Sequence, residues 1–125
     1  MRGIACYGRG HHMIHFLEKG MPNPRIEPLK RVLAIEPTDD VAWFGLGKAY
    51  MEDGNFEEAA KALQQCITVK PTYSAAYFAL AQSLHKLGRI DECRAVSVTG
   101  IDVSTKNGDA MVTKNLEMLK SSLPA

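Results

Sequence analysis

The sequence predicts an all-α protein built from a 34-residue helical hairpin that recurs along the chain. Three observations predict it. Pro37 and Pro71 are 34 residues apart, and Gly20, Gly54 and Gly88 form a series with the same step, as do Phe16, Tyr50 and Leu84. Trp43, Phe44 and Leu46 recur one period later as Tyr77, Phe78 and Leu80. Within the period the apolar residues follow helical spacing: Trp43, Leu46, Gly47 and Tyr50 stand at i, i+3, i+4 and i+7 on one helix face, with Trp43 expected as a buried ring.

Taken in order, residues 25–36 predict a helix with Leu29, Val32 and Leu33 facing inward, a short or irregular first turn at Pro28, and an end at Pro37. Residues 41–53 predict the next, with Asp40 as N-cap and Asp39 as the alternative, broken by Gly54-Asn55. Residues 56–69 put Ala59, Leu63, Cys66 and Ile67 on one stripe. Small residues at Gly47, Ala59, Ala81 and Cys93 let paired helices approach closely. A further unit starts at Ser74 and carries Tyr77, Leu80, Ala81, Leu84, Gly88 and Cys93. Residues 90–106 read as a longer helix stopped by Asn107-Gly108, and Asp109 caps a last helix along Val112, Leu116, Leu119 and Leu123. On that last helix Lys114, Glu117, Lys120 and Ser121 supply a polar outer face.

These positions resemble the tetratricopeptide-repeat (TPR) family. Counted from Asp40, Trp43, Leu46, Gly47 and Tyr50 take the signature positions of the first helix, Gly54 the turn, Ala59, Leu63 and Cys66 those of the second helix, and Pro71 the closing proline. The following unit departs late: Ser97 replaces a large apolar residue, Gly100 fills the next small position, and Thr105 replaces the closing proline. The unit before is degenerate. Phe16 and Gly20 are in register, but Arg9, His12 and Met13 fit the signature poorly. The resemblance implies a short right-handed solenoid of stacked helix-turn-helix hairpins. The expected division is an N-terminal segment 1–12, disordered or tag-like, then one domain over 13–125. That domain comprises a degenerate repeat 13–39, repeats 40–73 and 74–108, and a capping helix 109–123.

Composition bounds the function. With 125 residues, 46% of them hydrophobic, the chain suits one domain with one core. Fifteen basic against 14 acidic residues give a net charge of +1 and no basic stripe, so no nucleic acid is expected as a partner. No apolar run approaches the ~20 residues that span a bilayer, and the N-terminus lacks the apolar core of a secretory signal. No membrane association and a cytoplasmic location are the expectation. Three cysteines, Cys6, Cys66 and Cys93, close no disulfide framework and read as free thiols, the latter two packing where the repeat wants Ala or Ser.

No nucleophile elbow, phosphate loop or zinc-ligand pair is present, so no enzyme is expected. His11 and His15 stand at i, i+4 near His12 and Cys6, yet no carboxylate or second pair completes a metal site, and neither metal nor cofactor is expected. The resemblance implies instead that helix positions outside the signature line a concave, partner-binding groove: Val41, Phe44, Lys48 and Met51 from one unit, then Ala75, Phe78, Gln82 and His85 from the next. The residues alone leave Phe44 and Phe78 open, either as groove rings or as core under a neighbouring helix. Lys48 and Lys86 suit an apolar partner segment that carries a carboxylate. The carboxylate clamp of the chaperone-binding subfamily is not matched, because its positions hold Gly10, Ile14, Gly45, Ala75 and Ala79. The expected function is protein–protein interaction with an unidentified protein or peptide. The alternative is self-assembly as a homo-oligomer stacking through the incomplete first repeat.

Overall fold

The computed structural model describes residues 23–124. The expected segment 1–12, the histidine cluster, Cys6, Phe16 and Gly20 lie outside them. Six helices follow one another: α1 (Ile26–Ile35), α2 (Asp40–Glu52), α3 (Phe56–Val69), α4 (Ser74–Lys86), α5 (Ile90–Asn107) and α6 (Ala110–Ser121). No strand occurs among the described residues, and no helix there is long and apolar enough to cross a membrane.

The boundaries repeat because the residues that make them repeat. α2, α4 and α5 end at Gly54, Gly88 and Gly108, each left-handed with φ of 77°, 77° and 75°. A side chain at such a φ is strained, and glycine is not. The residue after each glycine bonds back to the last turn: Asn55 N–H to the Tyr50 carbonyl at 2.9 Å, Arg89 to Leu84 at 2.9 Å and Asp109 to Ser104 at 2.8 Å. α1 and α3 stop differently, at Glu36 and Lys70, whose following prolines disfavour helical backbone. Starts are capped by Asp39, Asn55 and Asp109, which accept from the N–H groups of Ala42, Glu58 and Val112. Asp39 is therefore the cap of α2, and Asp40 is its first helical residue. Pro28 does not disturb α1. It falls in the first turn, where its missing N–H would have had no helical partner, and the helix is regular from Ile26.

The helices form two layers. α2, α4 and α6 touch in succession along one layer, while α1, α3 and α5 form the other and bring no Cα atoms within 8 Å of one another among the described residues. A stack in contact on one side and splayed on the other curves toward the contacting side, so α2, α4 and α6 are the inner helices.

Small residues set the closest approaches. A Cβ on Gly47 would come within 2.5 Å of Leu63 Cγ, and one on Gly100 within 2.7 Å of both Leu116 Cδ1 and the Tyr77 Cβ. Ala59, Ala81 and Cys93 are fully buried, and the Cys93 thiol donates to the Ala81 carbonyl at 3.2 Å. The substitutions at Ser97 and Gly100 do not shorten α5: both residues are buried and the helix runs to Asn107. Leu63, Tyr77, Leu80, Leu84, Cys93 and Leu116 make the larger buried cluster, and Ile26, Leu33, Ala42 and Leu46 the smaller.

Two inward assignments are corrected. Val32 is 41% exposed and Ile26 is buried in its place, because α1 presents the stripe Ile26, Leu29, Leu33 to α2. Trp43 is only half-buried, whereas its counterpart Tyr77 is buried. The groove between α1 and α3 in which the indole lies is rimmed by Lys30, Ala34, Lys61 and Gln65, none of them a large apolar residue that would close over it. Both rings nevertheless make the same bond. The Trp43 Nε1–H donates to the Pro37 carbonyl at 2.8 Å, and the Tyr77 hydroxyl donates to that of Pro71 at 2.7 Å.

Candidate interaction surface

The eight expected groove residues all lie on the inner helices: Val41, Phe44, Lys48 and Met51 on α2, and Ala75, Phe78, Gln82 and His85 on α4. The spacing i, i+3, i+7, i+10 keeps each set on one helix face. Val41 is 64% exposed and His85 is also exposed, while Phe44, Lys48, Met51, Ala75, Phe78 and Gln82 are half-buried. Phe44, Met51 and Phe78 pack one side against the larger core cluster. The two readings of the phenylalanines thus merge: each ring is seated on the core and keeps part of its surface open.

Tyr73, the residue before α4 and one that no motif in the sequence singles out, stacks on Phe44 with centroids 5.0 Å apart and planes 28° from parallel. Lys70 lies over the tyrosine face, 5.9 Å from its centroid, and also 3.8 Å from the Asp40 carboxylate. The Tyr73 hydroxyl is pushed up from its ordinary pKa, first by burial and then by the nearby Cys66 and Asp40. At the other end of α2, Glu52 accepts from the Asn23 amide at 2.8 Å and the Arg25 guanidinium at 2.7 Å. These bonds hold its carboxyl below the usual range, with Asn23 the larger cause. They also fasten the start of α1 to the end of α2.

The two cysteines among the described residues are not activated. Cys66 is buried, its thiol donates to the Asp40 carbonyl at 3.4 Å, and desolvation followed by the Asp40 charge pushes its pKa to about 11. Burial likewise pushes Cys93 up. A thiol so placed stays protonated at neutral pH and is a poor nucleophile. Among the described residues no three His, Cys, Asp or Glu side chains are grouped to hold a metal ion.

The surface of α2 and α4 thus carries seated aromatics, a lysine and a methionine. Sequence-family comparison agrees with the geometry. A tetratricopeptide-repeat model matches residues 26–67, a TPR-repeat model residues 47–88, and a second tetratricopeptide-repeat model residues 74–106. No curated protein matches the chain. The matches overlap through five of the six helices, and such repeats generally mediate protein–protein interaction. The chain belongs to the tetratricopeptide-repeat family.

Proposed function

We propose that this chain is a non-catalytic scaffold that grips a segment of another protein on its inner face, across α2 and α4. The observation that carries the reading is the pair Phe44 and Phe78. They are one repeat apart on adjacent inner helices, each fixed against the core on one side and open on the other. Interface energy concentrates in such rigid, partly buried rings, because they contribute contact area with little loss of side-chain freedom. Lys48 and Gln82 occupy the equivalent next positions and supply polar contacts beside them. The test is the double substitution Phe44→Ala/Phe78→Ala, assayed against a partner identified by co-purification. Binding is expected to be lost while circular dichroism stays helical. Unaltered affinity would place the site elsewhere.

The second reading, self-assembly through the first repeat, is favoured by one observation. Val32 and Ile35 on α1 are 41% and 86% exposed, and apolar surface of that kind is a candidate for stacking. Mass measured across a range of protein concentrations separates the two: a constant monomer mass sinks self-assembly.

A further inference from the structure

The last helix does not simply close the stack. α2 and α6 begin with the same device, an aspartate that accepts from the N–H three residues on: Asp39 from Ala42 and Asp109 from Val112. Aligning the inner helices on their cap residues, Asp39, Tyr73 and Asp109, puts Leu46, Leu80 and Leu116 in register, and all three are buried. In that register the α6 residues equivalent to the groove positions Val41, Phe44 and Lys48 are Met111, Lys114 and Met118. Both methionines are open to solvent, 72% and 62% exposed. α6 packs directly against α4, so these side chains continue the inner face beyond Ala75, Phe78 and Gln82.

The geometry points to a partner surface that spans three helices rather than two, with Met111 and Met118 as its third apolar step, and to an acidic amphipathic helix of another protein as its occupant. This inference rests on the groove reading proposed above. The charge is one-sided: the aligned positions carry Lys48 and Lys114 and no carboxylate, while Glu52 at the edge is already engaged by Arg25 and Asn23. Packed helices lie about 8–10 Å apart. A bound helix laid across them repeats an apolar side chain every seven residues, roughly 10 Å, and so meets successive inner helices. Methionine suits the outermost step, since its unbranched, polarisable side chain adapts to the ring or branch it meets.

The experiment uses the full chain with methionine methyls labelled for NMR. The probe is a synthetic peptide with leucines about seven residues apart and glutamates between them, compared with a twin in which lysine replaces every glutamate. The signals of Met51, Met111 and Met118 should shift together with the acidic peptide and much less with its twin. Met111→Ser/Met118→Ser, at exposed positions that leave the core intact, should weaken binding about tenfold. Shifts at Met51 alone, with the double variant binding normally, would overturn the three-helix surface and leave the two-helix groove standing. Silence at all three methyls would overturn the groove reading itself. Equal binding of the lysine twin would overturn the acidic partner. Concentration-dependent shifts of Met111 and Met118 without peptide would assign the surface to a second copy of the chain and overturn the inference.

Discussion

Replacing Gly100 with alanine should destabilise the protein, and the same change at Gly45 should stabilise it. Both residues are helical, so both substitutions gain the intrinsic preference of alanine over glycine, about 1 kcal/mol. They differ in what the new methyl meets. At Gly45 it would lie 3.4 Å from Leu29 Cδ1 and 3.7 Å from Cδ2, a contact the end of a half-buried leucine absorbs. The gain should survive at about 0.5–1 kcal/mol. At Gly100 it would lie 2.7 Å from Leu116 Cδ1 and 2.7 Å from the Tyr77 Cβ. Leu116 is fully buried, and the Tyr77 Cβ moves only if α4 moves. Overpacking of that kind costs about 1–3 kcal/mol, enough to cancel the helical gain and leave a net loss of up to about 2 kcal/mol. In a domain of this size each kcal/mol shifts the melting temperature by about 3–5 °C. Urea melts of the two variants beside the parent measure both effects. A Gly100→Ala protein stabilised as much as Gly45→Ala would refute the close packing of α4, α5 and α6 described above.

Three further outcomes are expected. The Ser97 hydroxyl is fully buried and makes no hydrogen bond beyond a weak contact with the Cys93 thiol, so Ser97→Ala should be neutral or stabilising by up to about 1 kcal/mol, and a clear loss in a denaturant melt would show that the hydroxyl is satisfied. Tyr77→Ala should cost about 4 kcal/mol and Trp43→Ala only about 2, because the first ring is buried and the second half open; the reverse order in the same assay would contradict their burial. Cys66 has its pKa raised from 9.0 to about 11. The unfolded chain loses this proton first, so the contribution of the buried thiol is fully present below pH 9 and is lost as pH rises toward 11. The stability difference between the parent and Cys66→Ala should therefore shrink across that window, and a difference constant with pH would place the thiol in solvent.

The fold was legible in the sequence wherever local backbone chemistry decides it. Gly54, Gly88 and Gly108 end helices because a left-handed residue is needed there, and Pro37 and Pro71 because the chain before them must be extended; both needs are written in residue type. What was not legible depended on neighbours far along the chain. Trp43 and Tyr77 hold the same signature position, and their burial differs because of side chains on other helices. Tyr73 is an ordinary turn residue until α4 is packed beside α2 and its ring meets Phe44. Met111 and Met118 were missed for a different reason. The cap residues Asp39 and Tyr73 are 34 residues apart, but Tyr73 and Asp109 are 36 apart, because α5 runs longer than α3. A strict 34-residue ruler slips off register just before α6.

The two-layer contact pattern also governs how the molecule can deform. With α2, α4 and α6 in contact and α1, α3 and α5 farther apart, the inner layer resembles a spine and the outer layer spaced ribs, two of them bridged by the Arg89–Glu57 ion pair. Between α3 and α5 the ribs leave a cleft of about 570 Å³ floored by Ala60, Leu80 and Leu84. Closing that cleft flattens the spine and spreads the inner side chains; opening it bends the spine and gathers them. Elastic behaviour of this kind is intrinsic to repeat arrays, where each unit contacts only its neighbours. Curvature of the stack can therefore change without breaking a helix.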